Sequence, residues 1–430
     1  MNNVGSKIST NSWGGIERDP TLLQAWGSLA YDNPDKLFVF GAGNNGEKSS
    51  SFSILDPGTS KNVLSVGALD SLYDTPKRYI LTGSGQTIQL ESLVPLVFSD
   101  EGVLGVNIVV GNGDDDAVDI CNIMANKTKT GIAYTSNQTA LIEKLKKCQS
   151  KEYKALFMTY DATVLQLVGK SVQLQLDSTL NTSKFYNVAS YSSVGPAFSG
   201  ILKPEILAPG TRIISANSKS KKYQTGNFGC SQDDYAYIVL EGTSMATPNA
   251  AGAAVLVRQY FTDRKWMDTP RELDGKTLRA LLIASASNKR LLGNNNVIDR
   301  RTGFGAIDLS KVLSFDASDS GISISKSDSQ IPSQSHYSAQ IIASKTFKSR
   351  RLSFVLTYLD PETSVDSVIP IYNDLDLVVT SPSGKRYIGN NNDIYGNNTD
   401  AYHFSTSEKI VLEDDLFEDG QCACHISFHF

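Results

Sequence analysis

Ser244 stands in the string Glu241-Gly-Thr-Ser-Met-Ala-Thr-Pro248, between a glycine that permits a sharp turn and the first turn of an Ala-rich, apolar-periodic stretch. A serine hydroxyl so placed can attack a carbonyl carbon. At the start of a helix the axial dipole favours developing negative charge, and the Ser244 backbone N–H can donate to an oxyanion. Pro248 is expected to be tolerated because the first helical N–H groups have no intrahelical partner. An isolated Gly-Thr-Ser would read as a helix cap without chemistry, and it is the length of the string that argues for a nucleophile. Such a nucleophile needs a base to take its proton. The four histidines, His336, His403, His425 and His429, all follow it in the chain, and each reads as a surface or core residue.

The elements that must position Ser244 follow from periodicity. Residues 21–33 predict a helix, and Leu37-Phe-Val-Phe-Gly41 and Asn62-Val-Leu-Ser-Val-Gly67 are continuous apolar runs of the kind found in buried parallel strands. Residues 1–70 and 188–313 are therefore expected to form an α/β domain with its site at the carboxyl edge of the sheet. Helices are predicted from Ser244 to about Phe261 and from Gly275 to Ser287. Between them, residues 71–187 change texture to short β-rich runs, including Leu93–Phe98 and Ala155–Thr159, with one helix near 139–147. Residues 314–430 predict a C-terminal β-sandwich, with strands at Leu352–Tyr358 and Asp374–Thr380 after a Ser/Asp-rich linker over 316–336.

The chain of 430 residues is long enough for two or three domains. With 20% charged residues, a net charge of −5 and no basic run longer than Lys219–Lys222, it offers no footprint for nucleic acid, and no apolar run reaches the roughly 20 residues needed to span a membrane. Four glycosylation-type sequons, at Asn126, Asn137, Asn181 and Asn397, fit a secreted or extracellular product, although no signal peptide is recognisable; they also arise by chance in an Asn/Ser/Thr-rich chain. Five cysteines leave one over: Cys121 and Cys148 can pair in an oxidising compartment, Cys230 reads as the lone thiol, and Cys422, Cys424 and His425 make only a weak metal pattern.

The segment Gly242-Thr-Ser-Met-Ala-Thr-Pro248 resembles the nucleophile motif of the subtilisin-like serine peptidases, the subtilases. Three more segments agree in order and spacing. Asn11-Ser-Trp-Gly-Gly15 resembles the substrate-binding strand, Gly41-Ala-Gly-Asn-Asn-Gly46 the loop of the oxyanion asparagine, and Tyr191–Pro196 with Lys203–Gly210 the stretch before the nucleophile. The resemblance implies a serine endopeptidase acting on polypeptides, with Ser244 as nucleophile and Asn44 as side-chain oxyanion donor. Without it, Asn44 between glycines would read as a turn residue. Ser12, Trp13, Gly14, Gly15, Gly41 and Gly43 are then expected at the substrate, with Gly14 and Gly15 leaving backbone open to an added peptide strand. Residues 80–88, 93–97 and 121–159 resemble a protease-associated insert, and residues 373–391 the jelly-roll domain of some subtilases. Related domains hold calcium, for which Asp374 and Asp376 are candidate oxygen ligands, although solvated carboxylates are the simpler reading. No cofactor is expected for catalysis.

The resemblance also implies a triad Asp and His ahead of the segment at Asn11–Gly15, where this sequence has ten residues and neither group. Loss of the histidine in this class costs about a millionfold in turnover. The expectation is therefore a chain that begins inside a longer peptidase and is inactive alone. The alternatives are a peptide-binding pseudoprotease and a module in which the β-rich parts mediate interactions.

Overall fold

The computed structural model describes residues 5–15, 19–70, 78–83, 86–92, 103–106, 108–112, 130–136, 155–159, 161–167, 172–176, 187–216, 237–263, 272–289, 291, 298–313, 324, 336–343, 351–364, 370–380, 384–390, 405–413 and 422–429. Four strands, β1 (Ile8–Asn11), β2 (Leu37–Gly41), β3 (Leu64–Leu69) and β4 (Ile206–Pro209), pair in parallel in the order β1-β2-β3-β4. Every residue of β2 and β3 is buried, which is why their sequences are continuous apolar runs and not alternating ones.

Helix α1 (Pro20–Tyr31) begins where Asp19 accepts from the Thr21 and Leu22 N–H groups and Pro20 needs no donor. Helix α2 (Thr243–Thr262) buries Ala246, Ala250, Ala254, Val257 and Phe261 against Leu37, Val39, Leu64, Val66 and Ala68 of the sheet. Alanines at helical spacing let the helix lie close to the strands, which brings its N-terminus to their carboxyl edge. Helix α3 (Gly275–Ser285) is capped by Asp274, whose side chain accepts from Thr277 N–H. Its first residue must be glycine, since a Cβ there would collide with the Lys36 carbonyl.

The C-terminal strands are all antiparallel. They are β5 (His336–Ala343), β6 (Arg351–Thr357), β7 (Asp376–Thr380), β8 (Arg386–Ile388), β9 (Ser407–Glu413) and β10 (Cys422–His429), in sheets ordered β5-β10-β7-β8 and β6-β9. Phe354, Leu377, Val379, Ile410 and Leu412 form a core shared by β6, β7 and β9. Residues 1–71, 185–211 and 241–430 make one compact unit.

A polar network ties these strands to the parallel sheet within that unit. Lys61 Nζ donates to Asp360 Oδ2 at 2.7 Å, and Asn62 bridges the Asp360 backbone and the Gly27 carbonyl. Arg279 donates to Glu205 Oε1 at 2.6 Å and to Thr406 Oγ1 at 3.1 Å, Lys203 donates to the same Glu205 oxygen at 2.7 Å, and Lys409 caps the α3 carbonyls of Ile283 and Ala286. Burial pulls the Lys203 ammonium down to about 8 in spite of Glu205. The strand expected at Asn62–Gly67 accordingly starts later, at Leu64, because Lys61 and Asn62 are committed to this network.

Residues 72–184 and 212–240 form a second unit. Its seven-stranded sheet has the order Val103–Val106, Val172–Leu176, Arg78–Gly83, Gln86–Ser92, Ala155–Thr159, Thr130–Tyr134, Ile108–Asn112, and Ile213–Ala216 pairs antiparallel with Tyr237–Leu240. The strand expected at 93–98, the helix at 139–147, Cys121, Cys148, Cys230, His403 and the four sequons lie outside the described residues.

Candidate active site

Strands β1 and β2 are parallel and in register at Asn11 and Phe40, so the chain leaves both at the same edge. Ser12–Gly15 follows β1, Ala42–Gly46 follows β2, and the N-terminus of α2 comes to the same edge. Gly242, the residue before α2, has φ 144°, a region open to glycine alone, and a Cβ there would lie 3.1 Å from Asn44 Nδ2.

Asn44 is fixed by its carboxamide oxygen. Thr243 N–H donates to Asn44 Oδ1 at 2.9 Å, Thr243 Oγ1 donates to the same atom at 3.0 Å, and Gly43 N–H donates in turn to Thr243 Oγ1 at 3.0 Å. A main-chain N–H can only donate, so the oxygen of the amide must face Thr243 and the NH2 must face away. The exposed Asn44 thus presents Nδ2 as a donor beside Gly242, and no acceptor for the Ser244 N–H occurs among the described residues. Two donors without internal acceptors at a helix N-terminus suit an oxyanion.

Ser244 is held to the β1 loop by two contacts. Ser12 Oγ donates to the Ser244 carbonyl at 2.7 Å, and Ser244 Oγ lies 3.4 Å from the Ser12 carbonyl. The first of these corrects the expectation for Pro248. With α2 beginning at Thr243, Pro248 is the sixth helical residue, past the orphan N–H groups, and its missing N–H would have paired with the Ser244 carbonyl. Ser12 supplies that donor instead. Burial first, with the charges of Glu241 and Asp70 behind it, pushes the Tyr191 phenol up, so it stays protonated and bonded to Thr211 beneath the loop.

The expected substrate contacts divide. Ser12, Trp13 and Gly14 are exposed, and Trp13 rests edge-on against Phe40 at 5.6 Å between ring centres. Gly15 is also exposed, but its N–H and carbonyl are already paired with Asp56 at 2.9 and 3.0 Å, so its backbone is not open to a peptide. Gly41 is buried beneath Thr243 and Thr247 of α2, where it gives close packing and not a substrate contact. Gly43, at φ 106°, is buried with its N–H on Thr243 and its carbonyl on Ser193, so it too is a support. Thr243 is a site residue that the sequence reading missed, although it was legible as the neighbour of Ser244.

Of the four histidines, His336, His425 and His429 lie on β5 and β10, and among the described residues no imidazole or carboxylate bonds Ser244. Asp374 and Asp376 stand near Glu408, whose carboxyl is pushed up to about 8, by burial first and by those two charges after it. No group of three or more His, Cys, Asp or Glu side chains suited to a metal ion occurs among the described residues.

A serine at a helix N-terminus beside an oriented amide donor, on the carboxyl edge of a parallel sheet, has the form of a serine-peptidase site. The Subtilase family (Peptidase_S8) matches residues 1–305, and the chain belongs to that family. It is 27% identical over 303 residues to the serine protease/ABC transporter B family protein tagD of Dictyostelium discoideum, covering 66% of this chain and 14% of that protein. To tagA of the same organism it is 25% identical over 397 residues, covering 88% and 20%. To the serine protease AprX of Bacillus subtilis (strain 168) it is 44% identical over 90 residues, or 20% of each chain. The chain thus spans a fifth or less of the length of these relatives. Among solved structures, sphericase aligns with a TM-score of 0.34 at 18% identity, covering 72% of this chain and 59% of that one. No described helix is long and apolar enough to cross a membrane.

Proposed function

We propose that these residues serve a serine endopeptidase in which Ser244 Oγ attacks the carbonyl carbon of a peptide bond and Asn44 Nδ2 and the Ser244 N–H hold the resulting oxyanion. In acylation the Oγ–C bond forms, the C–N bond breaks, and the proton leaving Oγ passes through a base to the departing amine. Water then attacks the ester carbonyl, the C–Oγ bond breaks, and a proton from that water passes to Ser244 Oγ as the acid is released. The observation that carries the reading is the Thr243–Asn44 pair of hydrogen bonds, which turns the amide NH2 away from Thr243 and leaves it beside Gly242. One such preorganised donor is worth about 3–4 kcal/mol in the transition state.

The test is peptide hydrolysis by the protein translated from its complete native coding sequence. Activity lost in Ser244→Ala supports the reading, and full turnover by that variant overturns it. A second reading, a peptide-binding pseudoprotease, is favoured by the contact of Ser244 Oγ with a carbonyl and with no base among the described residues. It predicts peptide binding without hydrolysis and no reaction with an active-serine phosphonate.

On the same footing, residues 71–187 read as a protease-associated insert influencing substrate access, and 314–430 as a jelly-roll domain, supported by the motif resemblance. A secreted or extracellular site of action is proposed from the sequons.

A further inference from the structure

We propose that Phe52, Phe198, Arg300 and Arg301 form a docking surface for an acidic peptide segment that carries one aromatic anchor. Three stretches of chain meet there. Phe52 N–H donates to the Gly195 carbonyl at 3.4 Å and Gly195 N–H donates to the Arg300 carbonyl at 2.7 Å, so residues 52–53, 194–195 and 300 lie side by side. Two further bonds tighten the first join: Ser53 N–H donates to the Val194 carbonyl at 2.9 Å, and Val194 N–H to Ser53 Oγ at 2.8 Å.

The two phenylalanines are an apolar pair in the open. Phe52 is 49% exposed and Phe198 67%, and their rings meet edge to face with centres 6.1 Å apart. The core beneath them is made by other residues: Ala197 and Ile201 of the Phe198 loop pack with Ile371. Phe52 also has φ 54°, a left-handed conformation that is costly for an aromatic residue and persists only where the surrounding structure imposes it. The fold thus holds this ring outward against its own backbone preference. Exposed aromatic clusters of this kind mark interaction sites and supply the anchors that dominate binding.

The arginines set the charge of the partner. They stand in a turn fixed at both ends: Asp299 Oδ1 accepts from Arg301 N–H at 2.6 Å and from Thr302 N–H at 2.8 Å, Gly303 N–H donates to the Asp299 carbonyl at 2.8 Å, and Ile298 and Thr302 are buried. Arg300 and Arg301 are themselves exposed, and neither makes an ion pair among the described residues. In a chain of net charge −5 they make a local basic spot beside the rings. A guanidinium pairs a carboxylate through two parallel N–H···O bonds, so charge complementarity calls for an acidic partner. Size selects a peptide. An anionic bilayer is held by clusters of about 4–8 basic residues, whereas two arginines and two rings match a short acidic segment with one anchor.

The test is fluorescence anisotropy with a labelled synthetic peptide of Asp and Glu residues around a single Phe. The protein is translated from its complete native coding sequence and carries Ser244→Ala, so that the peptide stays intact and the outcome does not depend on Ser244 being a nucleophile. Saturable binding is expected, weakened at least ~10-fold when the peptide Phe becomes Ala and at least ~10-fold by Phe52→Ala combined with Phe198→Ala. Arg300→Glu combined with Arg301→Glu should weaken it at least ~5-fold, and so should a rise in salt from about 0.05 to 0.5 M. Melting temperatures of the variants check their folding, and Phe198→Ala alone, at the more exposed ring, is the change least able to disturb it. Binding that every folded variant retains, or no binding up to ~1 mM peptide, overturns the proposal. Capture by phosphatidylserine vesicles that these variants abolish, with no binding of the peptide, also overturns it and makes the surface a lipid site.

Discussion

At the scale of single residues, the proposed catalysis rests on how an amide is turned. Asn44 can present its NH2 to an oxyanion only while Oδ1 is held by Thr243. Asn44→Ala is expected to lower kcat by about 10²–10³ with KM little changed, measured on peptide hydrolysis by the full-length protein. Thr243→Val keeps the shape and removes the hydroxyl, leaving Gly43 N–H without an acceptor and Asn44 with one donor fewer. A hydrogen bond of about 1 kcal/mol converts to a loss of ~5-fold in kcat, smaller than for Asn44→Ala. The places of Ser244 at the start of α2 and of Asn44 in the loop after β2 were legible in the sequence because a glycine marks each turn of the backbone. The roles of Gly41 and Gly43 were not, since whether a glycine faces a peptide or a packed helix depends on where α2 lands.

At the scale of elements, the N-terminus of α2 carries a defect and its repair. Pro248 leaves the Ser244 carbonyl without its helical donor, and Ser12, 232 residues away in sequence, provides one. Ser12→Ala is expected to cost about 0.5–1.5 kcal/mol of stability, measured by urea denaturation. In a Pro248→Ala background, where a helical N–H is restored, the same change should cost measurably less. Equal costs in both backgrounds would show that the two residues are not coupled. The helices themselves were legible to within two residues, because Asp19, Asp274 and the alanine spacing of α2 are local signals. The shift of β3 from Asn62 to Leu64 was not, because the partners that hold Lys61 and Asn62 lie about 300 residues downstream.

At the scale of the molecule, the sheet and the C-terminal strands of the first unit share a core of charges. Arg279 is 2% exposed and Glu205 1%, and removing one partner of an isolated buried pair costs about 3–5 kcal/mol because the other stays buried and unpaired. Lys203 still donates to Glu205 when Arg279 is removed, so Arg279→Met should lower the free energy of unfolding by less than that in urea titrations. Two carboxyls add a pH dependence: burial first pushes Glu362, beside Lys61 and Asp360, up to about 7, and Glu408 up to about 8. Folding favours the protonated form of both. Their contribution is therefore full below the ordinary value near 4.5 and is lost as pH rises through about 7 and 8. Thermal scans from pH 5 to 8.5 should show the melting temperature falling with rising pH, and Glu362→Gln should flatten that slope. The central claim, that Ser244 is the nucleophile of a peptidase, is tested most directly by the protein translated from its complete native coding sequence, incubated with an internally quenched peptide. Hydrolysis by wild type and none by Ser244→Ala is the predicted result. Equal hydrolysis by the two proteins would contradict it.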